Sequence, residues 1–214
     1  MSSMTKTTKT NIIVAICKNR GIGYKNTIPW GYLKRDMEHF RKLTIGEGNN
    51  AIVMGKNTFL SLPKGPLPRR DNLILSKSFT SNDVKYYKDK YIGLNFGFFT
   101  SINELNMYIK TKNYDVVWII GGEQIYNLYI NLPINEVHVT YIDEEYMCDT
   151  FFPEIQNMYF ISKMLKTSYE VENKNNDIKE DNNNNINNIK NEYRNENKND
   201  CKKIINVYNI LYRS

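Results

Sequence analysis

The sequence predicts an α/β fold: a single domain on a mostly parallel, twisted sheet of about eight strands, with helices on both faces and an antiparallel C-terminal edge hairpin. Three observations carry this. Continuous apolar runs such as Asn11 to Cys17 suit strands covered on both faces. Those runs alternate with segments of helical periodicity, the pattern of βαβ units. Finally, two β-rich segments flank a polar tract near the C-terminus and read as partners in an overgrown hairpin, because long surface insertions add little closure entropy.

The elements follow in order. Asn11–Cys17 is the first strand, and a Gly/Pro-punctuated loop runs from Asn19 to Gly31. Leu33 to Leu43 places Leu33, Met37 and Phe40 at helical spacing. Ala51–Met54 is a second buried strand, followed by a short helix from Lys56, and Asn72–Ser76 is a third strand. A less regular stretch holds a strand near Phe96 to Phe99. Ser101 and Glu104 then have capping-box spacing and start a helix. Val116–Ile120 is a strand, a helix runs from Gly122 to about Asn131 before Pro133, and Glu136–Tyr141 is the next strand. Tyr159 to Val171 and Ile204 to Tyr212, β-branched and aromatic, form the final pair.

Between that pair, residues 173–203 include the run Asn182 to Asn185 and almost no large apolar side chains, so the tract is expected to be disordered. Residues 1–10 are expected to be a flexible polar tail, and 11–214 the folded domain. The tract holds seven Lys and Arg against six Asp and Glu, so it accounts for one unit of the +6 net charge. The rest is spread without any run of five like charges, which suits an anionic small molecule at least as well as a polynucleotide, and nucleic acid is not expected as the primary ligand. Cys17, Cys148 and Cys201, with His39 and His138, offer no zinc-ligand spacing and fit reduced thiols in a cytoplasmic protein. No apolar run is long enough for a membrane span.

In such folds ligands sit beyond the carboxyl ends of the strands. Ile120-Gly121-Gly122 passes from strand to helix, where side-chain-free residues admit a phosphate to backbone N–H groups. Packing alone also produces such turns, and the dinucleotide fingerprint GxGxxG is absent. Met54-Gly55-Lys56-Asn57-Thr58 repeats the glycine–helix junction, with a lysine set against the helix dipole. With Lys77 it offers two cations for a 2′-phosphorylated dinucleotide, although both lysines also suit an ordinary surface. Asp36 lies four residues before Phe40, on the apolar face of its helix. It is either a helix-start capping acid or a carboxylate offered to a cationic or amidine-like heterocycle. Arg70, after Pro66-Leu67-Pro68-Arg69, is a candidate for gripping a carboxylate.

Six segments in register resemble the dihydrofolate reductases. They are Ile22-Gly23 with Ile28-Pro29-Trp30, Asp36 to Phe40, Val53 to Thr58, Pro66 to Asn72, Ile119 to Tyr126 and Cys148 to Pro153. Asp36-Met37 and the Asn-rich insertion most resemble protozoan members. The resemblance implies NADPH-dependent reduction of dihydrofolate to tetrahydrofolate, with hydride to C6 and protonation at N5 supported by Asp36 through an ordered water. Thr140 would be the hydroxyl partner of Asp36. Phe40, Leu62 and Leu67 would line the substrate cleft, Arg70 would pair with the glutamate tail, and backbone groups of Ile13, Val14 and Ile120 would meet the pterin edge. Ala15 and Ile22 would hold the nicotinamide carboxamide, with Tyr126 nearby; Gly121, Gly122 and Thr58 would hold pyrophosphate, and Lys56 with Lys77 the 2′-phosphate. Gly23, Gly55, Asn57, Ser76, Glu123, Gln124 and Ile125 complete the cofactor-binding set, and no metal is implied. Residues around Gly23 to Trp30 would form a lid.

Three residues depart from the family pattern: Lys56 stands where arginine is commoner, Phe59 where tryptophan is frequent, and Glu123 where small residues are frequent. Antifolates are implied ligands. Because protozoan members are often fused to thymidylate synthase, the chain is expected to be either free-standing or excised from such a fusion. The sequence leaves two other readings open: a reductase of a riboflavin-pathway pyrimidine on the same fold, and a basic RNA-binding protein.

Overall fold

The computed structural model describes residues 7–155, 160–172 and 202–213. In chain order the elements are β1 (Lys9–Cys17), β2 (Gly21–Gly23), α1 (Lys34–Ile45), β3 (Asn50–Gly55), α2 (Lys56–Ser61), β4 (Asp71–Leu75) and α3 (Ser81–Lys90). There follow β5 (Phe96–Phe99), α4 (Ile102–Thr111), β6 (Val116–Gly121), α5 (Glu123–Tyr129), β7 (Glu136–Ile142), β8 (Thr150–Phe151), β9 (Phe160–Glu172) and β10 (Lys202–Arg213). Eight strands make one sheet in the order β5-β4-β3-β6-β1-β7-β10-β9, and β2 pairs with β8 in a second, small sheet. The first six strands of that order run parallel, while β10 is antiparallel to both β7 and β9. The predicted α/β architecture, with its antiparallel edge, is therefore the observed one.

Strand alternation explains why the central runs are apolar throughout. Ile12, Val14, Ala51, Val53, Val117 and Ile119 face one side and pack with Leu105 of α4 and Ile125, Tyr126 and Tyr129 of α5. Their neighbours Ile13, Ile52, Met54 and Trp118 face the other side, against Phe40 and Leu43 of α1, Phe59 of α2 and Tyr87 of α3. Phe59 is buried at the centre of an aromatic group with Phe79, Tyr87 and Phe98, so its part in the fold is packing.

Several details differ from the sequence reading. β1 begins at Lys9, so the last two residues of the expected tail belong to the sheet, where Lys9 N–H bonds Asp115 O at 3.0 Å. Lys202 and Lys203, placed in the polar tract, pair with Glu172 and Val171. The flexible tail expected at residues 1–6 and the disorder expected at 173–201 lie outside the described residues. Glu104 does not close a capping box on Ser101. Its carboxylate accepts instead from Thr100 N–H at 2.9 Å, while the Ser101 hydroxyl accepts from Glu104 N–H at 3.2 Å. The helix α3 has the full reciprocal box, between Thr80 and Asp83. Cys17 and Cys148 are free thiols with sulfurs 3.7 Å apart. Among the described residues, no helix is long and apolar enough to cross a membrane, and no cluster of acidic, His and Cys side chains could hold a metal.

Candidate active site

Two central strands open the site. β1 pairs with β6 only as far as Ile12↔Ile119, yet it stays on β7 as far as Cys17↔Ile142. From Ile13 and Ile120 onward the parallel strands part, leaving a cleft at their carboxyl ends where α/β sheets bind ligands. The backbone of Ile13, Val14 and Ile120, expected to meet the pterin, borders this opening. Phe40, Leu62, Leu67 and Ile120 are half-buried and pack around Ile13, Ile52, Met54 and Trp118, so the structure gathers the expected apolar cleft residues in one cluster.

Asp36 sits in the first turn of α1, and only 6% of its surface is exposed. The helix start has Leu33 at its N-cap and no side-chain cap, so Asp36 is not used as a cap. Burial raises its pKa, and a hydrogen bond from the Thr140 hydroxyl partly opposes that rise. This favours the reading of Asp36 as an inward-facing carboxyl over the capping alternative. Thr140 lies on β7, opposite Ala15 of β1 and opposite Asn209 of β10. Its Oγ1 stands 3.1 Å from Asn209 Oδ1, a second acceptor for the same single proton.

Arg70 lies at the other end of the apolar wall and is 7% exposed. It bonds the Thr44 hydroxyl, stands 5.8 Å from the Phe40 ring, and leaves a buried Nε–H without a partner. Burial, then the neighbouring charges of Arg41 and Arg69, lowers its pKa to about 10, so it keeps its charge at neutral pH. The turn that presents it is clamped by Asn72, whose Oδ1 accepts from Leu67 N–H at 2.8 Å. The Asn72 Nδ2 donates to Leu67 O and Arg70 O at 2.9 and 3.0 Å. Asn72 is fully buried, and its clamping role was not read from the sequence.

The glycine junctions meet beside the cleft. Gly55 and Gly122 are the N-caps of α2 and α5, and neither helix start has a side-chain cap. A Cβ on Gly55 would stand 3.3 Å from Ile125 and 3.9 Å from Gly122 N, and one on Gly122 would stand 3.4 Å from Thr58 Oγ1. Gly121, with φ +102, is joined to Gly122 by a cis peptide, and a Cβ there would stand 2.6 Å from the Tyr126 ring. The Lys56 ammonium donates to Ser78 O and Oγ at 3.2 and 3.1 Å and lies 4.8 Å from the Phe79 ring. Ser76 Oγ is 3.2 Å from Ser78 Oγ, which makes Ser78 a further member of the polar group around Lys56. Lys77, Asn57 and Gln124 are exposed; Ala15, Ser76 and Glu123 are half-buried. Ile125 and Tyr126 are core residues; Tyr126 reaches the cleft through its hydroxyl, which donates to Ile13 O at 2.9 Å. A carbonyl has a second lone pair, so Ile13 O retains acceptor capacity.

The segment expected to be a lid is tied at both ends. Gly21 and Gly23, on either side of Ile22, pair with Phe151 and Thr150, while Trp30 is buried against the Tyr146 ring at 6.0 Å. At its tip Lys25 N–H bonds Asp149 Oδ2 at 2.8 Å. Asp149 and Asn209 are neighbours of the site that periodicity could not identify.

The chain is also similar in sequence to known proteins. A family model described as "Dihydrofolate reductase" matches residues 9–194. The dihydrofolate reductase of Gallus gallus is 35% identical over 153 residues, covering 68% of this chain and 78% of its own. That of Buchnera aphidicola is 35% identical over 166 residues, covering 78% and 91%, and that of Bos taurus is 31% identical over 191 residues, covering 78% and 97%. A parallel sheet parting at Ile13 and Ile120, a buried acid on the first long helix, and matches of this extent lead to one conclusion: the chain is an oxidoreductase of the dihydrofolate reductase family.

Proposed function

We propose that this protein reduces dihydrofolate to tetrahydrofolate with NADPH, and that the site described above does so. The observation that carries the reading is the Asp36 carboxyl, buried beside the cleft and held by one neutral hydroxyl. Burying an acid without a counter-charge is costly, so the position makes sense when a ligand presents an amidine-like edge to it. Asp36 binds that edge of the pterin and, with its raised proton affinity, supports protonation at N5. Phe40, Leu62 and Leu67 enclose the ring system and exclude water, and Arg70 pairs with a carboxylate of the substrate tail through its unpartnered Nε–H.

The glycine-bordered space between the starts of α2 and α5 fits a dinucleotide phosphate, since neither Gly55 nor Gly122 places a side chain there and Thr58 Oγ1 lies beside it, 3.4 Å from where a Cβ on Gly122 would stand. Gly121, Gly122 and Thr58 would hold the pyrophosphate. Lys56, Ser76, Ser78 and Lys77 would hold the 2′-phosphate, and the backbone of Ala15 and Ile22 the carboxamide. When bound, NADPH supplies the hydride. The Tyr126 hydroxyl fixes the Ile13 carbonyl at the cleft edge.

The test follows NADPH absorbance with purified protein and dihydrofolate, with and without a tight antifolate. Dihydrofolate-dependent, antifolate-sensitive loss of NADPH is expected, whereas oxidation only with a riboflavin-pathway pyrimidine overturns the proposal. Asp36→Asn should keep NADPH affinity and lose about 10²–10⁴-fold in turnover near neutral pH, the usual worth of acid–base catalysis.

A further inference from the structure

A hydroxyl has one proton, and two acceptors compete for the one on Thr140. Thr140 Oγ1 is a hydrogen-bond partner of Asp36 on α1. It also stands 3.1 Å from Asn209 Oδ1 on β10, at a directly opposed position in the β7–β10 ladder. Opposed residues share a sheet face, so Asn209 and Asp36 address the same hydroxyl from two elements. Thr140 is 4% exposed, so its hydroxyl is buried between these two protein acceptors.

We propose that Asn209 is a positioning residue for the acid of this site: its carboxamide oxygen draws the Thr140 proton away from Asp36 and so keeps Asp36 easier to protonate. The inference rests on Asp36 being the acid of the proposed reaction. With the hydroxyl committed to Asn209, an ionised Asp36 loses a donor, while a protonated Asp36 gains an acceptor in Thr140 Oγ1. The chain Asp36–Thr140–Asn209 then has every proton donated in one direction. Among the described side chains, the other titratable or charged groups on the surrounding elements are Lys34, Arg35, Glu38, His39, Arg41 and Lys42 of α1, Lys9 and Cys17 of β1, Glu136, His138 and Tyr141 of β7, and Tyr208, Tyr212 and Arg213 of β10. Burial and Thr140 are the causes that act on Asp36, so the pathway through Asn209 is not masked by a nearby charge.

The test compares the pH profile of turnover in the full-length enzyme and in Asn209→Leu, which matches the side chain in size and removes the acceptor. Turnover that needs a protonated acid falls as pH rises. In Asn209→Leu the fall should begin at lower pH, with turnover unchanged at acid pH and about two- to tenfold lower above neutrality, the worth of one hydrogen bond. Asn209→Asp keeps the acceptor and adds negative charge, and should move the fall the opposite way. In a Thr140→Val background Asn209→Leu should have no effect on the profile. Uniform loss at all pH values, no displacement, or displacement to higher pH in Asn209→Leu overturns the proposal. Asn209→Val, a better strand former, makes the same test if the leucine variant does not fold. Carboxyl ¹³C NMR of Asp36 in the ligand-free protein gives the same displacement without substrate. A displaced titration with no dihydrofolate reduction would therefore reject the assigned reaction and not the role of Asn209.

Discussion

Burial raises the Asp36 pKa, so on stability it acts with the opposite sign from a surface acid. The folded chain binds the proton more tightly than the unfolded chain. The group therefore costs stability above its folded pKa, and that cost is recovered as pH falls through it; each unit of displacement is worth about 1.4 kcal/mol. Asp36→Asn should accordingly melt at higher temperature than the wild type near neutral pH without ligand, with the gap closing in acid. Thermal melts across pH check this, and a lower melting temperature for the variant at neutral pH contradicts it. Arg70→Met should raise KM for dihydrofolate by at least ~30-fold (~2 kcal/mol), the low end for losing one partner of a desolvated charge pair. NADPH affinity should stay unchanged, and steady-state kinetics with titration of cofactor fluorescence separate the two. Both residues were legible in the sequence, because an acid on an apolar stripe and an arginine after a proline-rich turn stand out locally.

Among the elements, α3 shows what periodicity misses. None of its residues is buried, and its contacts to the core are the half-buried ring of Tyr87 and that of Tyr91 just past its C-terminus, so no apolar stripe marks it. Its readable signal is the cap, Thr80 with Asp83. Thr80→Ala should cost about 1 kcal/mol and leave kcat unchanged, since α3 supplies no residue to the cleft; denaturant melts and kinetics read both. The β6–α5 junction should be far less tolerant. Gly121→Ala places a Cβ 2.6 Å from the Tyr126 ring at φ +102, so the chain should lose its cooperative melt or fail to accumulate as soluble protein. Recovery of a wild-type melting curve in that variant would show that the junction can relax.

For the whole molecule, Glu172 and Lys202 are directly paired at the end of the β9–β10 ladder, and the sheet closes across the Asn-rich tract. Replacing residues 173–201 by a two-residue Asn-Gly turn should preserve kcat and raise stability by about 2 kcal/mol, the closure entropy of the longer loop. Loss of activity on that replacement would give the tract a part in the site. The sequence by itself determined the chain order of the eight strands of the main sheet and of the helices other than α3, the two-sided burial of the central strands, the glycine–helix junctions and the place of Asp36 on the apolar face of its helix. All of these are local consequences of periodicity and backbone chemistry. Only the tertiary structure decided that β1 and β6 part beyond Ile12 and Ile119, and that Lys56 is held by Ser78. It also decided that the Tyr126 phenol reaches Ile13 across 113 residues and that the Thr140 hydroxyl stands between Asp36 and an asparagine 69 residues away. No repeat or spacing encodes such pairs, because they arise only when strands distant in the chain are laid side by side in register.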